Sequence, residues 1–287
     1  MNKKHKILKR RAIVVSRPSC SSNHVMRTEL LHPLYETLLR AERPISSLEI
    51  KQYKEDGYIL FRNMINPETS EELKREITEI MDVIGLGTTK LRQTAQYLHN
   101  SLLAAYVQGS LLKGVASALM EAPAHLYLPF TAVKSGGGGG KFHFHQDGNY
   151  TPYVQGQGIN LWTALVPMRD ENGGLRIVPA SHRNGAVASE NAGDNDAHRK
   201  TSTEPENSLL LEMEPGDCVA FSRWTIHGSG PNRTDEHRIA YAVQFHSENA
   251  VAEFDGAQHL LLKEPRFSDI WGVDEIVAAN AGARDGH

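Results

Sequence analysis

The segment Phe142-His143-Phe144-His145-Gln146-Asp147-Gly148 places a histidine and an aspartate two positions apart. In an extended chain alternate side chains share a face, so His145 and Asp147 can bring an imidazole and a carboxylate to one point. Two ligands do not secure a metal, and a third has to come from a neighbouring strand. Trp224-Thr225-Ile226-His227-Gly228 offers it, with His227 closing a short apolar run just ahead of a glycine-rich turn. Two histidines and one carboxylate leave three positions open on an octahedral iron(II), the facial triad of non-haem iron oxygenases. A structural zinc would be closed by a fourth ligand instead. Further on, Arg238 opens the run Arg238-Ile239-Ala240-Tyr241-Ala242-Val243-Gln244-Phe245. A guanidinium there can hold the far carboxylate of a chelating 2-oxo acid through two parallel hydrogen bonds. Each piece is common alone; the combination in this order is what carries information.

Such residues need a frame. Residues 29–123 read as helical. Ser46 and Glu49 have capping-box spacing at the start of a helix over Ser47–Asp56, Gly57 stops it, and Tyr58-Ile59-Leu60-Phe61 follows as a strand. Asn66 and Pro67 read as N-cap and first helical residue of a helix with Leu73, Ile77, Ile80, Met81 and Ile84 on one face, ended by Gly85. A further helix carries Leu111, Leu112, Val115, Ala116 and Leu119 and stops near Pro123. From His125 onward short apolar runs alternate with Gly, Pro, Asn and Asp. Strands are expected at 125–134, 142–145, 158–167, 175–179, 209–213, 218–221 and 238–246, which argues for a β-sandwich or jelly roll. The polar stretch 189–208 holds nothing that could form a core and reads as a mobile lid or disordered insertion. The run Gly136–140 lacks the Gly-Lys-Ser/Thr ending of a phosphate loop and reads as a flexible bend into the next strand.

Composition narrows the partners. A chain of 287 residues with 40% hydrophobic residues can bury a sizeable core. A formal net charge of −3 gives no reason to expect nucleic acid or an anionic membrane. The two cysteines, Cys20 and Cys218, form no disulfide framework and fit a reducing compartment such as the cytoplasm. No run approaches the ~18–20 apolar residues of a membrane helix. Residues 1–28 are acid-free and carry Lys3, Lys4, Lys6, Lys9, Arg10, Arg11, Arg17 and Arg27. They read as a solvated, poorly ordered tail, with an organelle transit segment as the alternative. No pattern specifies an oligomeric state.

Residues 45–247 resemble the phytanoyl-CoA dioxygenase family of iron(II)/2-oxoglutarate oxygenases. The resemblance is carried by Tyr53-Lys54-Glu55-Asp56-Gly57-Tyr58-Ile59-Leu60, His145-Gln146-Asp147, Leu161-Trp162-Thr163-Ala164-Leu165 and Asn172-Gly173-Gly174-Leu175-Arg176-Ile177-Val178-Pro179-Ala180-Ser181-His182. Pro215-Gly216-Asp217, His227-Gly228-Ser229-Gly230-Pro231-Asn232 and Arg238 complete it. One departure stands out: Ala180 occupies the place of the glycine in the family's Gly-Ser-His ending. The resemblance implies a double-stranded β-helix, a cupin-like jelly roll that is mainly β with flanking helices. It implies iron(II) at His145, Asp147 and His227, 2-oxoglutarate at Arg238, and O₂ as second co-substrate, with ascorbate as an aid in vitro. Lys134 would be a polar cofactor contact, Ser229 would assist Arg238, and Trp162 would wall the pocket. The domain organisation that follows is an N-terminal extension over 1–44 and one oxygenase domain over 45–287, with N-terminal helices and a lid-like insertion near 184–208.

The implied activity is oxidation of a C–H bond of a small-molecule metabolite or natural product, releasing succinate and CO₂. Asp147 favours hydroxylation over halogenation, because related halogenases lack the carboxylate. Desaturation, ring formation and epimerisation stay open. So do a non-oxidative cupin-like isomerase or hydrolase, which would not need Arg238, and a silent binding protein of the same fold. Asn149, Tyr150, Tyr153 and the stretch 184–208 are candidate substrate contacts, and their mixed polar and aromatic character hints at a small polar metabolite or natural product. His143 is expected to support His145 rather than bind metal. A structural hydrogen bond is expected of His182 and a place in the core of Cys218.

Overall fold

The computed structural model describes residues 32–84, 89–93, 101–150, 154–192, 199–254 and 256–260. The expectations on residues 1–28, Cys20, Gly85 and Tyr153 lie outside them. A short helix, α1 (Tyr35–Leu39), falls within the segment 1–44 and buries Leu38 in the core. Helix α2 (Ser47–Asp56) starts as its spacing requires. The Ser46 hydroxyl accepts from Glu49 N at 3.3 Å, and the Glu49 carboxylate accepts from Ser46 N at 2.7 Å. Gly57 ends it at φ 78°, in the left-handed region open to glycine, and a Cβ there would collide with the His182 ring. Strand β1 (Tyr58–Phe61) follows. Asn66 Oδ1 accepts from Thr69 N at 2.8 Å and Pro67 opens α3 (Pro67–Ile84), which buries Leu73 and Ile77.

Strand β2 (Thr89–Gln93) and helix α4 (Leu102–Gln108) were not legible as separate elements. The Glu76 carboxylate from α3 accepts from Leu102 N and Leu103 N, both at 2.8 Å, and so satisfies the first N–H groups of α4. Gly109 separates α4 from α5 (Ser110–Met120). The expectation that no run is long and apolar enough to cross a membrane needs correcting. Leu102–Met120 passes that test by length and mean hydropathy, 1.3, with 67% of the stretch buried inside the protein. Leu112, Val115, Ala116 and Leu119 belong to the same core cluster as Leu161, Tyr241 and Val243.

The rest is antiparallel β structure. The strands are β3 (Ala124–Lys134), β4 (Phe142–His145), β5 (Gly158–Ala164), β6 (Leu175–Ile177), β7 (Ser189–Asn191), β8 (Arg199–Thr201), β9 (Leu209–Leu210), β10 (Cys218–Ser222), β11 (His227–Ser229), β12 (Arg238–Ser247), β13 (Val251–Phe254) and β14 (Ala257–Leu260). Among the described residues a larger sheet runs β1-β10-β5-β12-β3-β2 and a smaller one β4-β11-β6-β9. Alternation along β12 divides two cores. Ile239, Tyr241, Val243 and Phe245 face the helices. Ala240 and Ala242 face the interior between the sheets, with Trp162, Val219 and Phe221. The architecture is mainly β with flanking helices, the cupin-like jelly roll of the expected class.

Some expectations change. The runs 158–167, 175–179 and 209–213 yield strands that stop at Ala164, Ile177 and Leu210. Beyond Ile177 the chain turns through Pro179 into a 3₁₀ turn over Ser181–Asn184. The stretch 189–208 is not without structure: β7 pairs with β8 as a hairpin. Arg199 ties the hairpin together by donating to Asn191 Oδ1 and Ser189 Oγ, both at 3.0 Å. Backbone pairing and side-chain hydrogen bonds hold this piece without a core of its own. The glycine run does form a bend before β4, and the bend is pinned. Gly137 N donates to Thr234 O at 2.8 Å and Gly139 N to Ser135 O at 3.0 Å.

Candidate metal centre

Strands β4 and β11 run antiparallel with His145 and His227 directly opposite, which sets their ring centroids 4.3 Å apart. Asp147 does not share the strand, as the alternation argument assumed. It opens a 3₁₀ turn over Asp147–Tyr150, and the turn, not strand parity, swings its carboxylate toward the two rings. The turn is fixed from behind. Gly148 N donates to Arg223 O at 3.0 Å, and Gln146 Nε2 donates to Gly185 O at 2.8 Å while its Oε1 accepts from Val187 N at 2.8 Å. A Cβ at position 148 would run into the Trp224 ring, so this close approach needs glycine.

The second polar atom of each ligand is tied back. A carbonyl can only accept, so His145 Nδ1–H donates to His143 O at 2.7 Å and His227 Nδ1–H to Thr225 O at 3.0 Å. In the neutral rings both Nε2 lone pairs are therefore free for a metal. Asp147 Oδ2 accepts from Asn160 Nδ2 and Gln244 Nε2, each at 3.0 Å, which leaves Oδ1. That Oδ1 lies 3.6 Å from each Nε2. The ligand atoms of the three residues lie within 4.8 Å of one another, and among the described residues no fourth histidine, cysteine or carboxylate joins them. Burial and the neighbouring His145 push His227 down to about 4, which keeps it neutral. Burial opposes ionisation of Asp147, but His227, His145 and the Asn160 hydrogen bond outweigh it and hold the carboxyl well below the usual range. Two imidazoles and an ionised carboxylate on an open face suit a divalent metal that keeps exchangeable positions.

A cavity of about 350 Å³ opens from these ligands, and Arg238, Ser229 and Trp162 line it too. Arg238, the first residue of β12, is 2% exposed. Its Nη1 donates to Ala132 O at 3.3 Å, its Nε has no partner, and its guanidinium carbon sits 5.4 Å from the centre of the Trp162 ring. Among the described residues no carboxylate pairs with it. Burial alone pushes it down to about 9. A buried guanidinium without a counter-charge is costly, and an anion entering the cavity would relieve that cost.

Lys134 is not placed as a cofactor contact. It is fully buried and opposite Arg238 in the β3–β12 ladder, but its Nζ donates to Gly140 O at 2.8 Å and to Gly230 O, clamping the glycine bend to the turn after β11. Burial, then Arg238, pushes its ammonium down to about 6. His143 supports His145 through its carbonyl, and its ring does not line the cavity. His182 Nε2 donates to Lys54 O at 3.1 Å, the structural bond expected of it. Cys218 is a buried free thiol in the core. Of the candidate substrate contacts, Tyr150 reaches the cavity, edge-on to His145 with ring centroids 5.6 Å apart. Asn149 instead donates to Val187 O at 3.2 Å. Asn160 and Gln244 were missed. Their signal was present: each is a carboxamide flanked by apolar residues, Asn160 by Ile159 and Leu161 and Gln244 by Val243 and Phe245.

Residues 53–240 match the family described as phytanoyl-CoA dioxygenase. This chain belongs to that family. The multifunctional dioxygenase ausE of Emericella nidulans is 26% identical over 202 residues, covering 63% of this chain and 66% of ausE. This chain thus spans slightly less than two thirds of that relative's length. Two solved structures share the fold. EvdO2 of Micromonospora carbonacea, complexed with 2-oxoglutarate, superposes with a TM-score of 0.61 at 16% identity, covering 81% of this chain and 100% of EvdO2. The epimerase SnoN, in complex with Fe3+, alpha ketoglutarate and nogalamycin RO, gives 0.60 at 20% identity, covering 75% and 92%.

Proposed function

We propose that this protein is an iron(II)- and 2-oxoglutarate-dependent dioxygenase that oxidises a C–H bond of a small-molecule metabolite. The observation that carries this reading is the pairing of two unmet needs across one cavity. Three lone pairs converge without a fourth ligand, and a buried guanidinium has no counter-charge. Family membership supports it. His145 Nε2, His227 Nε2 and Asp147 Oδ1 would hold the iron, and Arg238 would hold the distal carboxylate of 2-oxoglutarate, with Ser229 beside it. Bound iron with 2-oxoglutarate supplies the oxidising power, consuming O₂ and releasing succinate and CO₂.

The chain's own residues do the positioning. His143 O and Thr225 O fix the ring orientations, Asn160 and Gln244 fix the carboxylate, and Trp162 floors the guanidinium. The apolar wall limits water near the reacting atoms. A non-oxidative metal enzyme would have no use for the uncompensated Arg238, which disfavours that alternative.

Anaerobic addition of iron(II) and 2-oxoglutarate to the folded protein should give a visible charge-transfer band. Admitting O₂ and a suitable substrate should then release succinate. The Arg238→Ala protein should bind iron but show the band and succinate release only at much higher 2-oxoglutarate. A folded sample without the band would end this reading.

A further inference from the structure

We propose that the substrate presents an uncharged, largely hydrocarbon face to this centre and reaches it past Tyr150. The inference rests on the oxygenase reading and narrows it to a substrate class.

The acidic and basic groups of the cavity are already committed, while Asn160 Oδ1 is buried there without a partner. Among the described residues its acidic and basic linings are His145, Asp147, His227 and Arg238. The first three aim at the metal, and Arg238 is taken by the co-substrate. The amide nitrogens of Asn160 and Gln244 both donate to Asp147. Most of the remaining wall is aromatic or aliphatic, Tyr127, Leu128, Phe130, Phe142, Tyr150 and Leu175 among it. The Tyr150 hydroxyl accepts from Arg199 N of β8 at 3.2 Å. An ionised group on the substrate would leave water here and find no counter-charge, so its burial is disfavoured. A neutral hydrocarbon surface gains instead as it leaves water.

The space has a structural origin. The inner face of β12 carries Ala240 and Ala242 between Arg238 and Gln244, and Ala132 faces them from β3. Small side chains there leave room between the two polar ends. Within β3 the ladder shifts between Gln244 and Phe245, which pair with Leu128 and Leu126. Tyr127 is the extra residue, and the shift brings both Tyr127 and Leu128 to the wall.

Tyr150 marks the way in. It is 43% exposed, whereas the other wall residues are half-buried or buried. Its ring edge meets His145 and its hydroxyl is tied to the β7–β8 hairpin, so ring and hairpin form one rim. The sequence hint of a small polar metabolite loses its basis here. Asn149 holds Val187 O, Arg199 holds Asn191 and Ser189, and Glu204 pairs with Lys141 at 3.1 Å. These polar groups satisfy one another and hold the insertion in place.

The test uses the full chain loaded anaerobically with iron(II) and 2-oxoglutarate. Its probes are neutral cyclic ketones and methyl esters, each paired with the carboxylate of the same skeleton. Binding is read as a change in the charge-transfer band, and turnover as succinate release after O₂ is admitted. The neutral member of each pair should act at concentrations about tenfold or more below its carboxylate. Tyr150→Ala, an exposed position that leaves the core untouched, should keep the band and weaken the neutral probes several-fold. Phe130→Arg should shift preference toward the carboxylates, with the retained band reporting an intact fold. Carboxylates acting as well as or better than their neutral partners on the unaltered protein would overturn the proposal while leaving the oxygenase reading intact. Absence of the band before any probe is added would refute the oxygenase reading itself.

Discussion

Asn160 on β5 and Gln244 on β12 stand directly opposite each other in the sheet, and both donate at 3.0 Å to the same oxygen of Asp147. Two amides on a rigid ladder hold a carboxylate that itself sits in a turn. The larger sheet thereby aims a ligand attached to neither of its strands. Replacing either amide with alanine should weaken iron(II) binding by roughly 10–100-fold, the usual effect of removing a hydrogen bond to a metal ligand. The double variant should lose less than the product of the two, because both act on one oxygen. Iron titrations in the presence of 2-oxoglutarate, with circular dichroism to confirm folding, measure this. Unchanged affinity in both single variants would remove Asp147 from the proposed ligand set.

Arg238 invites a test that separates stability from function. Its guanidinium is buried at the cavity wall without a carboxylate partner. Arg238→Ala should weaken 2-oxoglutarate by the 2–5 kcal/mol typical of truncating one partner of a buried charge pair, about 30-fold or more in Kd. Arg238→Lys should recover little, because an ammonium lacks the planar fork. Arg238→Met should melt higher than the unaltered protein when no 2-oxoglutarate is present, since it removes a buried unpaired charge. It should also lose the thermal shift that 2-oxoglutarate gives the parent protein. Differential scanning fluorimetry with and without 2-oxoglutarate reads both outcomes. A methionine variant that melts lower in the absence of ligand would show that the guanidinium is satisfied without an anion.

The sequence made the strand pattern and the four charged residues visible because each is a local signal: alternation, a turn, a histidine beside it. It gave Asp147 strand parity with His145 because His-x-Asp spacing fits a strand and a strand-to-turn junction equally well. It missed Asn160 and Gln244 because their role depends on register across β5 and β12, which no single stretch encodes. The parity of β12 was nonetheless readable. Arg238 and Gln244 are an even number of positions apart in a run otherwise filled by Ile, Ala, Tyr and Val, so both belong to one face. Lys134 misled for the opposite reason. A lysine ending a strand suggests a free ammonium, yet the glycine bend folds its own carbonyl back onto it.

The start of α2 supplies a pH test away from the cavity. Burial, the largest single influence, raises the Glu49 pKa, but the hydrogen bonds from Arg43 and Ser46 and the Arg43 charge together outweigh it and pull it from 4.5 to about 2. A carboxylate with a depressed folded pKa contributes stability that is present above its unfolded pKa and is lost as pH falls through the folded value. Glu49→Gln should therefore melt a few degrees below the parent near neutral pH, about 2–4 °C for a loss near 1 kcal/mol. The gap should narrow as pH drops from 4.5 toward 2. Thermal melts of both proteins across that range check it. A gap that stays constant would mean that Glu49 contributes through packing and not through charge.

Ala180 gives a prediction of the opposite sign. It sits at φ 59° and ψ 4°, the left-handed region, where the resemblance places glycine. A side chain in that region costs roughly 1–2 kcal/mol. Glycine would remove the cost but would regain unfolded-state freedom of about 0.4–1 kcal/mol. Ala180→Gly should thus be neutral to about 1 kcal/mol more stable, a rise of up to ~4 °C in Tm. The strained residue leads directly into Ser181, whose hydroxyl donates to Val178 O at 2.7 Å and accepts from Ile226 N at 2.8 Å, one position before His227. Ser181→Ala should therefore loosen the backbone carrying His227 and weaken iron binding, while Ala180→Gly, which keeps Ser181 in place, should not. Melting curves and iron titrations on the two variants distinguish a turn that only stores strain from one that also positions the metal ligand.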